Sequence, residues 1–334
     1  DQGSMTTKSE NIGGNGLVAH NPLPIKKMLH KATLQFKGLP SRNKADKDEA
    51  RKIEQRESMA EGSFSTTKSL IGKGDLAEFD KRKKALSDYF YENTLPPAQG
   101  KNGYSLIPSK SLPIFTTETK RLKRECEDAY TEFIRDYGFD SPEQREKWLG
   151  VQASRLGGKF DASEYRSPDD MAKRFSVNIT IEPFGDIGES ALEYVDHETM
   201  SLLKRQEAES QKAISEYASL AVWERVVTPL QSMVERLSEA SEGDTIKADG
   251  TKGFKDSLVT NLSEIVEKLP LLNFQGDKRL EEVRSECKQL LKDIESPKAL
   301  RTSPKKREDA KRSASDILKT VEGYGSGKRK SRVA

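Results

Sequence analysis

Cysteine is nearly absent from this chain, with two thiols, Cys126 and Cys287, in 334 residues. So few cannot make a disulfide framework. Each falls on the apolar side of an expected helix, where a buried reduced thiol is a better reading than a disulfide or a catalytic nucleophile. Histidine is as scarce: His20, His30 and His197 stand apart, with no metal-ligand spacing and no convergent carboxylates, so no metal site is expected. No apolar run approaches the roughly 20 residues a membrane helix needs, and no signal peptide is recognisable, which together lead to the expectation of a cytoplasmic protein without a membrane partner. Aromatic residues make up 7%, and 34% apolar residues stand against 33% charged. That balance gives a thin core per residue. It suits an elongated helical protein, or one with disordered ends, better than a compact α/β enzyme.

Chemical motifs are missing too. A phosphate-binding loop needs Gly, four residues, then Gly-Lys-Ser/Thr between a strand and a helix; Gly327-Lys328 has Glu322 and Arg329 at the other diagnostic positions. Gly13, Gly14 and Gly16 miss the dinucleotide spacing and follow no strand. The segment Glu242 to Gly253 lacks the ligand spacing of a calcium loop. No nucleophile elbow or histidine dyad is visible, and the many Asp and Glu residues suit helix-surface ion pairing. The expectation is a protein with no catalytic residue and no cofactor.

Amphipathic helices are plentiful. Leu220, Trp223, Val227, Leu230, Val234 and Leu237 alternate gaps of three and four, which puts them on one stripe that needs a partner helix in this chain or a second one. Pro229 lies inside it, so a kink or restart with Thr228 as cap is expected. Phe254, Leu258, Leu262, Ile265 and Leu269 repeat the pattern before Pro270, as do Leu280, Val283, Cys287, Leu290 and Ile294 after Gly276-Asp277. From Asp186 to Leu237 the pattern is almost continuously helical. Its charged first half, with Lys204, Arg205, Glu207, Glu209 and Lys212, reads either as a solvated helix face or as a coiled-coil stem for self-association.

Strand signals are few. Ala32, Leu34 and Phe36 alternate with polar neighbours; Phe175, Val177, Ile179 and Ile181 do so more strongly, and pairing of these two strands is expected. Between them Ser41 to Met59 reads as a polar helix or loop. Leu76, Phe79, Lys83, Leu86 and Phe90 mark one helix, and Leu122, Cys126, Ala129, Phe133 and Tyr137 a second, closed by Gly138, with Gly100 to Pro113 as a loop. Ser141-Pro142, Ser167-Pro168, Ser296-Pro297 and Ser303-Pro304 each offer a cap and a fixed φ at a helix start. The expected fold is thus mainly α (α+β), a multi-helix assembly with a small antiparallel two-stranded element and a long, kinked helix. Its parts would be a flexible arm at 1–31, in which Asp1 to Met5 precede the native start, an α+β region at 32–185, a helical region at 186–323 and a basic flexible tail at 324–334.

Charge is unevenly spread. After position 297 there are twelve basic residues against four acidic ones, net +8 within a whole-chain charge of +3. Candidate phosphate contacts are Lys305, Lys306, Arg307, Lys311, Arg312, Lys328, Arg329, Lys330 and Arg332. The other reading of this end is a solubilising tail.

Several segments together carry a resemblance. Trp223-Glu224-Arg225 with Pro229, Phe254-Lys255-Asp256-Ser257-Leu258, Leu269-Pro270-Leu271-Leu272-Asn273-Phe274 and Asp277-Lys278-Arg279-Leu280 resemble a family of tailed-bacteriophage and prophage proteins of unassigned function. Thr94-Leu95-Pro96, Gly103-Tyr104 and Leu106-Ile107-Pro108 resemble its N-terminal half, while Pro97 departs from it where an aromatic residue is expected. The resemblance implies a phage setting in a bacterial host cell and supplies no catalytic residue. Two functions are expected from these observations: an oligomeric accessory factor contacting DNA or RNA through the basic end, with the Leu220–Leu237 stripe as subunit interface, or an adaptor that binds a phage or host protein.

Overall fold

Four serines begin helices for the same reason, and they organise much of the chain: each is followed by proline, and each hydroxyl accepts from the backbone N–H three residues on. Ser141 accepts from Gln144, Ser167 from Asp170, Ser296 from Ala299 and Ser303 from Lys306. The structure, a computed structural model, describes residues 25–40, 43–96, 103–184, 196–241 and 256–325. In chain order its elements are α1 (Ile25–Met28), β1 (Leu29–Lys37), β2 (Asn43–Ala45), α2 (Lys47–Arg56), β3 (Thr67–Ser69), α3 (Ala77–Glu92), β4 (Ser105–Pro108), α4 (Leu112–Asp136), α5 (Pro142–Leu156), α6 (Pro168–Arg174) and β5 (Ser176–Pro183). Then come α7 (His197–Ser241), α8 (Ser257–Leu272), α9 (Lys278–Ile294), α10 (Pro297–Thr302) and α11 (Pro304–Gly325). The protein is mainly α with a few strands.

The two strands expected from alternation do pair, antiparallel, with Ala32 opposite Ile181 and Phe36 opposite Val177. A third strand joins them. β4 lies on the other side of β1, in the order β4-β1-β5, so Ser105–Pro108 is strand rather than loop, and the sheet has three strands rather than two. Its four residues are all buried, which removed the polar alternation by which a strand is usually recognised. β2 and β3 form a separate hairpin around α2. The expected arm is shorter than residues 1–31: Ile25, Met28 and Leu29 are already core residues, and residues 1–24 lie outside the described ones.

Two cores share this sheet. Ala32, Leu34 and Phe36 face α3 and α4, where Phe79, Leu86, Phe90, Phe115, Cys126 and Phe133 pack together. Leu29 and Leu106 belong instead to the core of a four-helix bundle made by α7, α8, α9 and α11, each touching the next in a ring. Directions follow from end contacts. Ser215 and Ser219 of α7 bond Gln275 just past α8, Arg301 meets Asp256 at the start of α8, and Lys306 meets Glu295 just past α9. Helices therefore alternate up and down, as in simple bundles.

Three details differ from the helical expectations. The helix at Pro229 does not restart: α7 is continuous, and the Thr228 hydroxyl donates to the Glu224 carbonyl within it rather than capping a new helix. α8 likewise runs through Pro270 to Leu272. Proline there removes the donor that would satisfy the Val266 carbonyl, and the Arg284 guanidinium of α9 supplies one at 2.9 Å. The α7 stripe is also rotated: its buried line is Ile214, Ala218, Val222, Val226, Leu230, Met233 and Leu237, while Trp223, Val227 and Val234 flank it. Gly138 closes α4 as expected, at φ +100°, where a Cβ would fall 2.4 Å from the Arg145 backbone. Phe254 and Glu242 to Gly253 lie outside the described residues.

Candidate functional site

α11 carries the basic residues that were candidate phosphate contacts, and most are committed inside the chain. Lys306 pairs with Glu295 at 2.7 Å and Arg312 with Asp309 at 2.7 Å. Arg307 donates to the carbonyls of Leu300 and Arg301, closing the end of α10. Lys305 and Lys311 form no ion pair among the described residues. The exposed positions of α11 alternate in sign, with Lys305, Arg312 and Lys319 beside Glu308, Asp309 and Asp316. Thus α11 presents no basic stripe, and Lys328, Arg329, Lys330 and Arg332 lie outside the described residues.

The candidate interface stripe is used within the chain. Leu230 and Leu237 are fully buried in the bundle, Trp223, Val227 and Val234 pack against its core, and Leu220 is half-buried. What sequence reasoning missed lies at the middle and at the start of α7. At its middle, the Arg225 guanidinium donates to the carbonyls of Tyr91, Glu92 and Thr94, capping the C-terminus of α3 from across the junction. Burial pushes its pKa below the ordinary arginine value. Lys268 of α8 reaches the Glu92 carboxylate at 2.9 Å, and Ser111 and Lys110 donate to the carbonyls of Leu271 and Asn273 at the end of α8. These contacts join the sheet region to the bundle.

At its start, α7 has a cap of its own. Asp196 accepts from the backbone N–H of Thr199 at 2.8 Å, and this bond holds the Asp196 carboxyl below the usual carboxylate range. From His197 to Ala213 no residue is buried. Met200, Leu203, Glu207 and Gln211 are half-buried and extend the line of the core stripe outward from Ile214, while Leu202 is 42% exposed. At 1.5 Å per residue this is about 25 Å of helix without a buried side chain.

Reactive groups are few. Ser109 Oγ lies 3.1 Å from His30 Nδ1, tying β1 to the end of β4. No carboxylate bonds that imidazole among the described residues, so the pair lacks the orienting group of a catalytic triad. A cleft between Tyr89, Phe115, Ser111 and Lys268, partly open to solvent, has a cavity volume of only about 20 Å³, room for about one water and too little for a ligand. No group of three metal-binding side chains occurs among the described residues, and no helix among them is long and apolar enough to cross a membrane. The chain matches no protein-family model, no curated protein and no solved structure.

Both cysteines are free and buried, and burial pushes their thiols up to about 11 for Cys126 and about 12 for Cys287. Thiolate is the reactive form. Neither should react with a disulfide reagent at pH 8 in the folded protein, and both should react at once in denaturant. Rapid labelling of either under native conditions would show that its helix opens.

Proposed function

We propose that this protein is a non-enzymatic adaptor that docks another protein through the exposed first half of α7. The observation that carries this reading is the stretch His197–Ala213: a helix capped at Asp196 and continuous with the bundle, with no residue buried over about 25 Å. Helices recognise helices by an apolar seam flanked by charge, and Met200, Leu203 and Leu202 with Lys204, Arg205, Glu209 and Lys212 supply both. On the resemblance to phage and prophage proteins, that partner would be a phage or host protein. A second reading keeps the basic end as a contact for DNA or RNA, favoured by the unpaired Lys305 and Lys311 and by the four cations at 328–332.

One experiment separates the two. Proteins captured by the wild-type chain are compared with those captured by Leu203→Asp and by a chain ending at Gly325, with and without nuclease. Loss of a nuclease-resistant partner in Leu203→Asp alone supports the adaptor reading. If Leu203→Asp captures everything the wild type does, while truncation or nuclease abolishes capture, the protein is a nucleic-acid-associated factor instead.

A further inference from the structure

The free edge of the three-stranded sheet is unusually bare. β4 is covered, since Leu95 bridges to Leu106 on its outer side, and β1 is central. β5 is the other edge, eight residues long, and its outward backbone groups have no hydrogen-bond partner among the described residues. Natural edges are usually blunted by lysine, a bulge or an internal proline. From Ser176 to Ile181 the strand Ser-Val-Asn-Ile-Thr-Ile has none of these, and Pro183 stands only at its end.

We infer that β5 pairs antiparallel with β5 of a second copy of this chain, joining two three-stranded sheets into one of six strands. The strand is self-complementary about Thr180. With Thr180 opposite its own counterpart, Asn178 faces Glu182 of the second copy, so an amide meets a carboxylate and no like charges are opposed. On the other side of the sheet Ile179 faces Ile181, two half-buried residues at the rim of the helix-covered core. A foreign strand could use the backbone groups but is not required for this match. The arrangement is isologous and closed, so it ends at a dimer. A single strand pair buries little surface, and association is therefore concentration-dependent.

Thr180 is exposed and its hydroxyl pairs with that of Thr33 on β1, so its substitution removes that cross-strand bond and leaves the core untouched. The test measures mass against concentration by light scattering for the full chain, for Thr180→Lys, for Thr180→Glu and for an equimolar mixture of the two. The wild type should double in mass as concentration rises. Each variant alone should stay folded and monomeric, because like charges then face each other, with melting temperatures lowered slightly and alike by the loss of the Thr33 bond, and the mixture should recover the dimer. A wild type that is monomeric up to its solubility limit overturns the inference. So does a dimer that persists in Thr180→Lys, and if that dimer is lost in Leu203→Asp, the α7 segment is the self-association surface. A monomeric wild type leaves the adaptor reading untouched, whereas a dimer lost in Leu203→Asp would make a second copy of this chain the partner of the α7 segment.

Discussion

Arg225→Ala should lower the stability of the protein by about 2 to 4 kcal/mol, because one side chain satisfies three carbonyls at the end of α3. Those carbonyls point out of a helix C-terminus, where the macrodipole adds to the attraction for a cation. Removing the guanidinium leaves the carbonyl of the buried Thr94 without its donor, while those of the exposed Tyr91 and Glu92 turn to solvent. Arg225→Lys should recover less than half of the loss, since an ammonium on a flexible stem cannot span three acceptors as the planar fork does. The same change removes the Arg225 contact from α7 to α3, so unfolding followed by calorimetry should broaden or split as the sheet region and the bundle part company. A single sharp transition at the wild-type temperature in Arg225→Ala would show that the junction is held by packing alone.

Leu230→Ala should cost about 2 to 5 kcal/mol, the range found where a fully buried leucine leaves a cavity. Leu230 has no exposed surface and lies in the core among side chains of all four bundle helices. Leu220→Ala, two to three turns earlier on the same helix, should cost about 1 kcal/mol or less, because that side chain is only half-buried. The comparison is a test of the helix rotation seen in α7. Equal midpoints for the two variants in chemical denaturation would contradict that rotation, and an unchanged midpoint for Leu230→Ala would remove it from the core.

Much of this architecture is legible in the chain before folding. Leu280, Val283, Cys287, Leu290 and Ile294 are spaced for one buried face, and all five are buried. The four Ser-Pro starts name their own helices, since the cap chemistry is local. The α7 stripe was displaced because its true centre includes Ala218 and Ala221, small residues that hydrophobic spacing weighs lightly but that let helices approach closely. β4 escaped notice because a strand buried on both faces has no alternation to read. The basic end is legible only in part. Sequence counts charges, whereas folding decides which are spent on partners, and Lys306, Arg307 and Arg312 each find one at home. No local pattern announces Arg225 either, for its acceptors lie more than 130 positions away, as the separations of 131 to 134 residues record.

The order of the strands imposes a timetable on synthesis. β1 leaves the ribosome well before its longer partner, β5, which lies 147 positions downstream at Thr33–Thr180. At roughly 5 to 20 residues per second that gap lasts about 7 to 30 seconds. Leu29 waits longer, because the bundle that encloses it is complete only when α11 has been made. Throughout that interval the nascent chain carries an unpaired, half-apolar strand, in which Lys31 and Lys37 set charge beside the apolar residues as gatekeepers against aggregation do.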